Sequence, residues 1–296
     1  MTPFIFEQIL VEKIWGGSWL KSLNPNCYYE KVGEAIILGD ENNCKNKNII
    51  WNKKTKLELF NSHSSPIMVK LLDAKQDLSV QVHPLRGENV KTEAWYVIEA
   101  EEGAQIIYGL KGNFEDFKKA LKENGDVEPF LNKVNVYTGD FVYLPSGTVH
   151  ALGRGIKVLE IQQNSNITYR LHDYGRGREI HIREGIKSID KKINYNTPHI
   201  IRNVKRHNFN LGTYMVKGYF RDYIYPGYGL NKQYAIVVSL ENTVRYSIGN
   251  NKFNHPPYTA ALLPQIPEIC KAEGNGQFVM FLIEKMEQSS QGVGVG

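Results

Sequence analysis

The 296-residue sequence predicts an all-β protein, with a barrel or jelly roll of antiparallel strands, a second, smaller β-domain and a few short helices. From residue 66 onward, short segments rich in β-branched and aromatic residues recur at close and regular spacing. Gly, Pro, Asn or Asp separate these segments, as is typical of antiparallel strands joined by turns. A second series of similar segments follows residue 200 and predicts the smaller domain.

The elements can be assigned in chain order. The first 60 residues show no clear regular structure apart from a helix predicted over 54–61. The strands of the first series are predicted over 66–74, 78–84, 93–100, 103–110, 134–139, 140–147 and 155–163. A helix is predicted over 114–123, because Phe114, Phe117 and Leu121 recur on one face. The strands of the second series are predicted over 212–226, 233–241, 244–249, 259–264 and 277–285.

These two series predict the domain organisation. The barrel, together with the N-terminal segment, is expected over 1–200 and the second β-domain over 201–288. The Gly/Ser-rich segment 289–296 is expected to be a flexible tail. The second domain has His207 and His255, neither beside a carboxylate, so we expect no chemistry of its own there.

Composition narrows the class of partner and the compartment. The net charge of +5 suits an anionic small molecule, but the chain has no dense Lys/Arg tract, so neither a nucleic-acid partner nor a membrane is expected. Cys27, Cys44 and Cys270 are scattered and odd in number, which favours a reducing cytoplasm over a disulfide framework. Glu7 and Glu12 interrupt the apolar start of the chain, so no signal peptide is predicted. A monomer or a homodimer is expected.

The sharpest local motif runs from Gly139 to His150 and fits G-x5-P-x-G-x2-H, the second cupin motif, at every fixed position. Pro145 and Gly147 predict a tight bend, after which a strand would present His150 to the barrel interior. A histidine so placed could bind a metal ion. An isolated histidine would more often be a core residue, but a second motif upstream favours ligation.

The upstream motif is the segment Ser79 to Pro84, which contains Gln81 and His83. These two residues are two apart on a predicted strand, so their side chains share one face. The usual first cupin motif is His-x-His followed by Glu, and here Gln replaces the first His. Glu88 and Glu93 both compete for the carboxylate role, and spacing alone does not decide between them.

Two imidazoles, one carboxylate and one amide oxygen suit zinc with an open position for water or substrate. Iron, manganese or cobalt could occupy the same ligand set. A further polar segment, 160–174, contains Glu160, Arg170 and His172. Arg170 could bind phosphate through its guanidinium, although a surface arginine paired with a carboxylate is an equally good interpretation of that residue alone.

Four ordered segments together resemble the type I mannose-6-phosphate isomerases of the short bacterial kind, which belong to the cupin superfamily. The segments are PIMVKLLDAKQDLSVQVHP, KTEAWYVI, LPSGTVHALGRGIKVLEIQQ and NITYRLHDYGRGREIHI. The resemblance covers about 65–190, and the C-terminal third resembles the family loosely, as a degenerate cupin-like domain would. It implies a metal-dependent aldose–ketose isomerase that interconverts mannose 6-phosphate and fructose 6-phosphate through an enediol(ate).

The resemblance also implies roles for individual residues. One Zn²⁺ per chain would be bound by Gln81, His83, Glu93 and His150, which favours Glu93 over Glu88. Active-site roles are implied for further residues: Lys91, Arg170 and Glu160 as catalytic residues, and Lys70, Ser79, Lys91 and Arg170 as contacts of the phosphorylated sugar. The general base stays open among Lys91, Glu160 and His172.

Two alternative functions stay open from the sequence. The chain could be another metal-dependent cupin enzyme, such as a different sugar-phosphate isomerase or an iron oxygenase. It could also be a catalytically silent sugar-binding cupin. Metal-dependent turnover of mannose 6-phosphate would separate the first hypothesis from both.

Overall fold

The computed structural model describes residues 4–6, 8–39, 66–220, 233–241, 244–248, 251–264, 270–273 and 277–286. The helix predicted over 54–61 and the tail predicted over 289–296 lie outside the described residues. In the described part of the chain, no helix is long and apolar enough to cross a membrane.

The described chain is built mainly of β-strands, as predicted. The strands up to residue 163 are β1 (Phe4–Phe6), β2 (Ile9–Gly17), β3 (Val32–Leu38), β4 (Ile67–Ala74), β5 (Val80–Val82), β6 (Glu93–Ala100), β7 (Gln105–Leu110), β8 (Leu131–Asn135), β9 (Phe141–Leu144), β10 (His150–Ala151) and β11 (Ile156–Gln163). The later strands are β12 (Tyr169–His172), β13 (Ile200–Ile201), β14 (Arg206–Leu211), β15 (Tyr214–Phe220), β16 (Gln233–Ser239), β17 (Val244–Ile248), β18 (Asn251–His255), β19 (Ala260–Pro264), β20 (Cys270–Glu273) and β21 (Phe278–Lys285).

The helices are short. They are α1 (Trp19–Ser22), α2 (Phe114–Lys122), α3 (Ile182–Ser188) and α4 (Lys191–Asn194), with a single 3₁₀ turn at Glu128–Phe130. Helix α2 confirms the helix predicted over 114–123. Its first turn is capped by Asn113, whose side chain accepts hydrogen bonds from the backbone N–H groups of Glu115 and Asp116.

Two sheets form a cupin-type jelly-roll barrel. In the described residues, one sheet has the strand order β13-β9-β6-β11-β4-β2-β3 and the other β12-β5-β10-β7-β8, with antiparallel pairing throughout. Side chains from both sheets meet in one buried cluster, in which Trp95 and Val97 of β6 lie with Ile106 and Tyr108 of β7. The all-β fold class predicted from the sequence is thereby confirmed.

Strand β6 shows how the sequence separates the two faces of its sheet. Glu93 and Trp95 alternate with Ala94 and Tyr96, so the two pairs point to opposite sides. Trp95 faces the barrel interior, whereas Ala94 and Tyr96 belong to a separate apolar cluster outside the barrel. Because residues 93–97 of β6 are buried on both faces of the sheet, this part of the strand is almost entirely apolar in sequence, and Glu93 is its one charged residue.

The outer cluster joins the barrel to the C-terminal sheet. That sheet has the order β1-β19-β16-β21-β15-β14 and contributes Ile236 and Phe281 to the cluster that also holds Tyr96 and Leu159. Strand β1, from the start of the chain, pairs with β19. Residues of both predicted domains, 1–200 and 201–288, therefore contribute to one shared core. The division of the chain at residue 200 stays a prediction.

Most predicted strands occur within one to three residues of their predicted bounds. The strand predicted over 212–226 is found as β15 up to Phe220, and its last six residues lie outside the described part of the chain. Strands β12, β13, β14, β18 and β20 were not predicted, and two further regions differ. The strand predicted over 134–139 is displaced, since β8 begins at Leu131 directly after the 3₁₀ turn. A turn in which the Asp140 N–H bonds the Tyr137 carbonyl follows this strand before β9 begins. Strands β2 and β3 occupy part of the N-terminal region for which no strand was predicted.

Candidate metal centre

A row of polar side chains crosses the five-stranded sheet. His150 of β10 lies directly opposite Gln81 of β5 and, on its other side, Tyr108 of β7. Gln81 in turn lies opposite Arg170 of β12. Residues opposite one another on antiparallel strands share a face, so His150, Gln81 and Arg170 point to the same side of the sheet.

Glu93 of the facing sheet reaches this row. Its two carboxylate oxygens lie 3.2 Å from His83 Nε2 and 3.2 Å from His150 Nε2. The ligating atoms of His83, Glu93 and His150 all lie within 4.8 Å of one another, and the three residues are 2%, 0% and 1% exposed. Three nitrogen and oxygen ligands thus converge from two sheets, which is the geometry of a cation site.

Backbone carbonyls fix the orientation of both imidazole rings. His83 Nδ1 lies 3.0 Å from the Ile167 carbonyl oxygen, and His150 Nδ1 lies 2.9 Å from that of Thr148. A carbonyl only accepts, so each Nδ1 carries the proton and donates it. In a neutral ring this leaves the lone pair on Nε2, the atom of each histidine that lies near Glu93, as a metal ligand requires.

The turn before His150 is built by Gly147, as the motif predicted. Gly147 has φ +85°, and a Cβ there would meet Leu85 Cδ1 at 2.8 Å and the Ser188 carbonyl oxygen at 3.0 Å. The Thr148 N–H bonds the Pro145 carbonyl across the turn. A side chain at position 147 would therefore disturb the strand that presents His150.

The charge states of the cluster also suit a metal ion. Burial and the neighbouring Lys91 lower the pKa of His83 to about 4, so its ring is neutral. Burial opposes ionisation of Glu93, but the positive charge of Lys91 is the largest of the effects that outweigh burial and hold the Glu93 pKa well below its usual value. Lys91 Nζ lies 2.8 Å from Glu93 Oε2, at ion-pair distance.

The donor atoms pass a direct test of fit. Among the described residues, His83 Nε2 and both Glu93 carboxylate oxygens are buried without a hydrogen bond, and Glu93 Oε2 has only its ion pair with Lys91. Buried polar atoms without partners are rare, and a cation bound between them would satisfy all three. Two imidazoles and a carboxylate fit a divalent metal ion such as zinc, iron, manganese or cobalt.

Gln81 lies at the edge of this cluster. Its Nε2 is 3.2 Å from His150 Nε2. Rotation of the amide by 180° exchanges nitrogen for oxygen at this position and would bring an oxygen ligand to the same point. Glu88, the competing carboxylate, is exposed in the loop after β5 and is absent from the His83–Glu93–His150 cluster.

A chain of alternating charges extends from the cluster along the interior of the seven-stranded sheet. Glu160 of β11 lies 3.8 Å from Lys70 of β4, Lys70 lies 3.6 Å from Glu34 of β3, and Glu34 lies 3.1 Å from Lys13 of β2. Trp95 Nε1 donates a hydrogen bond of 2.8 Å to the other oxygen of Glu160. Three side chains in this chain sit on adjacent strands, so the sheet register sets their spacing.

Electrostatics separate the two carboxylates of this chain. Burial and the charge of Glu93 raise the pKa of Glu160, against the opposing effect of Lys91 and Lys70. Burial also opposes ionisation of Glu34, but Lys70 and Lys13 outweigh it and lower the Glu34 pKa. Desolvation would neutralise Lys70, yet Glu34 and Glu160 raise its pKa and keep it charged. Glu160 is therefore the more easily protonated of the two.

The remaining predicted residues lie around the cluster. Lys91 and Ser79 are buried, and Arg170 is partly buried. Arg170 Nη1 donates to the Glu179 carbonyl, while Arg170 Nε is buried without a partner among the described residues. His172 lines a separate cavity of about 300 Å³ and stacks edge-on against Tyr174, which makes it a poor candidate for the base.

Sequence reasoning missed Glu34, Lys13 and Trp95 as neighbours of the site. Glu34 is the charged residue within the apolar segment VGEAIIL, and a charge inside a buried strand is the signal that could have identified it. Lys13 and Trp95 had no comparable signal, because their role depends on pairing across the sheet.

The fold and the cluster together define a cupin-type barrel with a buried two-histidine, one-carboxylate site that could hold a divalent metal ion. No family model matches the chain. The chain is 37% identical over 214 residues to mannose-6-phosphate isomerase ManA of Bacillus subtilis, which covers 64% of this chain and 68% of the relative. It is 39% identical over 210 residues to mannose-6-phosphate isomerase of Streptococcus mutans, covering 62% and 66% of the two chains.

Solved structures agree with this relationship. The mannose 6-phosphate isomerase of Bacillus subtilis superposes with a TM-score of 0.72 at 25% identity, covering 96% of this chain and 100% of that one. A structure from Archaeoglobus fulgidus, described as a mannosephosphate isomerase by inference, shares the fold with a TM-score of 0.70 at 19% identity, over 97% and 99% of the chains. The chain belongs to the mannose-6-phosphate isomerase family.

Proposed function

We propose that the protein is a metal-dependent aldose–ketose isomerase that interconverts mannose 6-phosphate and fructose 6-phosphate through an enediol(ate). The observation that carries the proposal is the buried convergence of His83, Glu93 and His150 in a chain of this family. Beside that cluster lies the interior chain of Lys70 and Glu160, which supplies a cation and a carboxylate.

The proposed cofactor is one Zn²⁺ per chain, with His83, Glu93 and His150 as ligands and Gln81 as a fourth. When bound, the ion would polarise the sugar carbonyl and stabilise the developing negative charge. The neutral imidazole of His83 and the ionised carboxylate of Glu93 support this assignment, because these are the forms that bind metal ions.

Isomerisation must move one proton between C1 and C2 and another between their oxygens. Glu160 and Lys91 are the proposed acid–base pair, both buried on the barrel interior. The raised pKa of Glu160 brings it closer to the range in which a carboxyl group can act as a general base or acid. We propose that Arg170 acts on the enediolate or on the phosphate, because its guanidinium is permanently charged and its Nε is buried without a partner in the described residues.

Binding of the phosphorylated sugar is proposed to involve Lys70, Ser79, Lys91 and Arg170. Three of these residues are cations, and the chain as a whole carries a net charge of +5, both of which favour an anionic ligand. We also propose that the enzyme works in the reducing cytoplasm, because its three cysteines are scattered along the sequence and odd in number. A monomer or a homodimer is proposed for its oligomeric state.

A coupled assay tests the proposal. Purified protein is incubated with mannose 6-phosphate, and fructose 6-phosphate formation is followed before chelation, after chelation and after addition of zinc. We expect activity that chelation removes and zinc restores, with metal content measured alongside. Full activity in protein stripped of metal would contradict the metal-dependent mechanism. Absence of activity in metal-loaded protein would contradict the proposal that mannose 6-phosphate is the substrate.

A further inference from the structure

Gln162 is a fully buried polar residue that the proposed mechanism does not use. It lies on β11 directly opposite Glu93 of β6, and residues so paired have side chains on the same face, with Cβ atoms about 5 Å apart. Glu160, two residues earlier on the same strand, points the same way. Gln162 therefore faces the barrel interior, opposite the candidate metal ligand Glu93 and two residues along β11 from the candidate base Glu160.

The hydrogen bonds of Gln162 determine which end of its amide is which. Nε2 lies 3.0 Å from the Gln163 carbonyl oxygen and 3.2 Å from the Ser165 carbonyl oxygen. Both neighbours are acceptors, so the group facing them must be the NH₂ and the opposite group the carbonyl oxygen. The orientation of this amide is thus fixed by its partners.

The carbonyl oxygen of this amide has no donor. Among the residues that the structure describes, Gln162 Oε1 is buried without a hydrogen-bond partner. Buried acceptors are almost always satisfied, because an unmade hydrogen bond inside a protein weakens folding. An orphaned acceptor beside a candidate active site indicates a donor that arrives with the ligand.

The loop after Gln162 makes hydrogen bonds to both Gln162 and the candidate metal ligand His83. The Ser165 carbonyl binds the Gln162 amide, and the Ile167 carbonyl binds His83 Nδ1. Ser165 Oγ is in turn bonded to the Asn89 carbonyl, which ties the loop to the segment before β6. Because one loop orients both side chains, Gln162 Oε1 is held in register with His83.

We infer that Gln162 is a substrate-binding residue whose Oε1 accepts a hydrogen bond from the C3 or C4 hydroxyl of the sugar phosphate. The inference rests on the proposed function. The reacting carbons C1 and C2 belong next to the metal ligands, and Gln162 is one strand away from Glu93. The next hydroxyls along the sugar are therefore the donors that can reach it.

The experiment compares mannose 6-phosphate with its 3-deoxy and 4-deoxy analogues on three proteins: the wild type, Gln162→Met and Gln163→Met. Gln163 is the matched control, since its side chain points to the other face and accepts the Thr92 N–H at 2.9 Å. Metal content is measured for each protein, so that loss of the ion is separated from loss of substrate binding.

For wild type, we expect one analogue to lose roughly tenfold in kcat/KM, the loss that an unpaired buried acceptor produces. In Gln162→Met the kcat/KM for that analogue should lie within about twofold of the value for mannose 6-phosphate, at unchanged metal content. Gln163→Met should show the same loss with the analogue as wild type. Gln162→Asn, which withdraws the oxygen by one carbon, should behave like Gln162→Met and provides a second background if methionine disturbs folding.

Three results would overturn the inference. The first is that wild-type protein has the same kcat/KM for both deoxy analogues as for mannose 6-phosphate. This result would overturn the inference without measurements on any variant. Alternatively, the analogue penalty could be the same in wild type and the Gln162 variants, which is the signature of a structural role. The third is a Gln163 variant that abolishes the penalty equally. Failure of wild-type protein to isomerise mannose 6-phosphate itself would contradict the proposed function instead.

Discussion

Lys70 and Glu160 lie opposite one another on adjacent strands of the barrel, with Lys70 Nζ 3.8 Å from Glu160 Oε1. Lys70 is at the same time 3.6 Å from Glu34, so one ammonium group serves two carboxylates. Of these two carboxyl groups, the pKa of Glu160 is raised and that of Glu34 is lowered. Because the pKa of Glu160 is raised overall and Lys70 lowers it, the protonation of Glu160 should respond to the loss of Lys70.

Replacing Lys70 with methionine should move the acidic limb of the kcat/KM–pH profile to higher pH. Lys70 lowers the Glu160 pKa, so its loss raises that pKa further and keeps the proposed base protonated to a higher pH. We expect a displacement of roughly one pH unit, the size typical of a lost neighbouring charge. Lys157→Met, which removes a lysine paired with Glu99 away from the site, is the control. An unmoved acidic limb in Lys70→Met would remove Glu160 as the base.

The candidate ligands should differ in their importance for the metal. His150→Ala removes a buried imidazole that is a candidate ligand. It should lower both metal content and turnover at least about a hundredfold, which is a larger effect than the loss of a residue that only orients a ligand. Gln81→Ala removes a neutral amide and should retain most of the metal while losing activity. His199→Ala removes an exposed histidine and should change neither. Metal analysis and the coupled assay measure the two effects, and full metal loading of His150→Ala would refute its role.

Gly147→Ala should destabilise the protein more than Gly175→Ala. Both glycines have positive φ, +85° and +74°, so alanine at either site carries a backbone cost of roughly 1 kcal/mol. A Cβ at position 147 would also meet Leu85 and the Ser188 carbonyl, whereas at 175 nothing lies within 4 Å among the described residues. The additional loss in the free energy of unfolding should be about 1–3 kcal/mol, measured with urea. Equal losses in the two variants would show that the turn before His150 can adjust.

His255 of β18 should make the stability of the protein depend on pH. Burial lowers its pKa to about 4 from an ordinary value of 6.5, against the opposing hydrogen bond to the Thr259 carbonyl. Between these two pH values the unfolded chain binds the extra proton and the folded chain does not. The free energy of unfolding should therefore fall as the pH is lowered from 6.5 to 4, by about 3 kcal/mol for this residue.

The test is urea denaturation of metal-free protein between pH 4 and pH 7.5, with wild type compared with His255→Leu. His83 titrates in the same range in metal-free protein, because its pKa is also lowered to about 4. The slope of stability against pH should therefore be reduced in the variant rather than abolished. If the two proteins have the same slope, the His255 ring is already protonated in the folded state.

Much of the barrel could be predicted because its strands carry local signals. The segment Glu93–Ala100 was predicted with the bounds that the structure has, since the residues from Ala94 to Val97 are buried on both faces of the sheet and are all apolar. The prediction that Gln81 and His83 point to the same side followed from alternation alone, although β5 ends at Val82, one residue before His83. These features depend on residues within a few positions of one another, which a sequence displays directly.

What could not be predicted depends on pairing between distant segments. The choice between Glu88 and Glu93 needed a known family, because both have workable spacing after His83, and in the structure only one of them belongs to the described cluster. Glu34 comes beside Lys70 through the pairing of β3 with β4, for which the sequence has no marker. The same holds for Gln162, whose importance lies in an oxygen that nothing satisfies among the described residues.

The pairing of β1 with β19 has a consequence for how the chain folds as it is synthesised. Phe4 lies opposite Leu262, so β1 pairs with a strand that is synthesised much later than β1 itself. Until β19 has been made, β1 lacks its partner, and its unpaired backbone groups are open to other chains. Slow translation of the segment that contains β19, or a chaperone bound to β1, should therefore affect the yield of this protein more than comparable changes midway through the barrel.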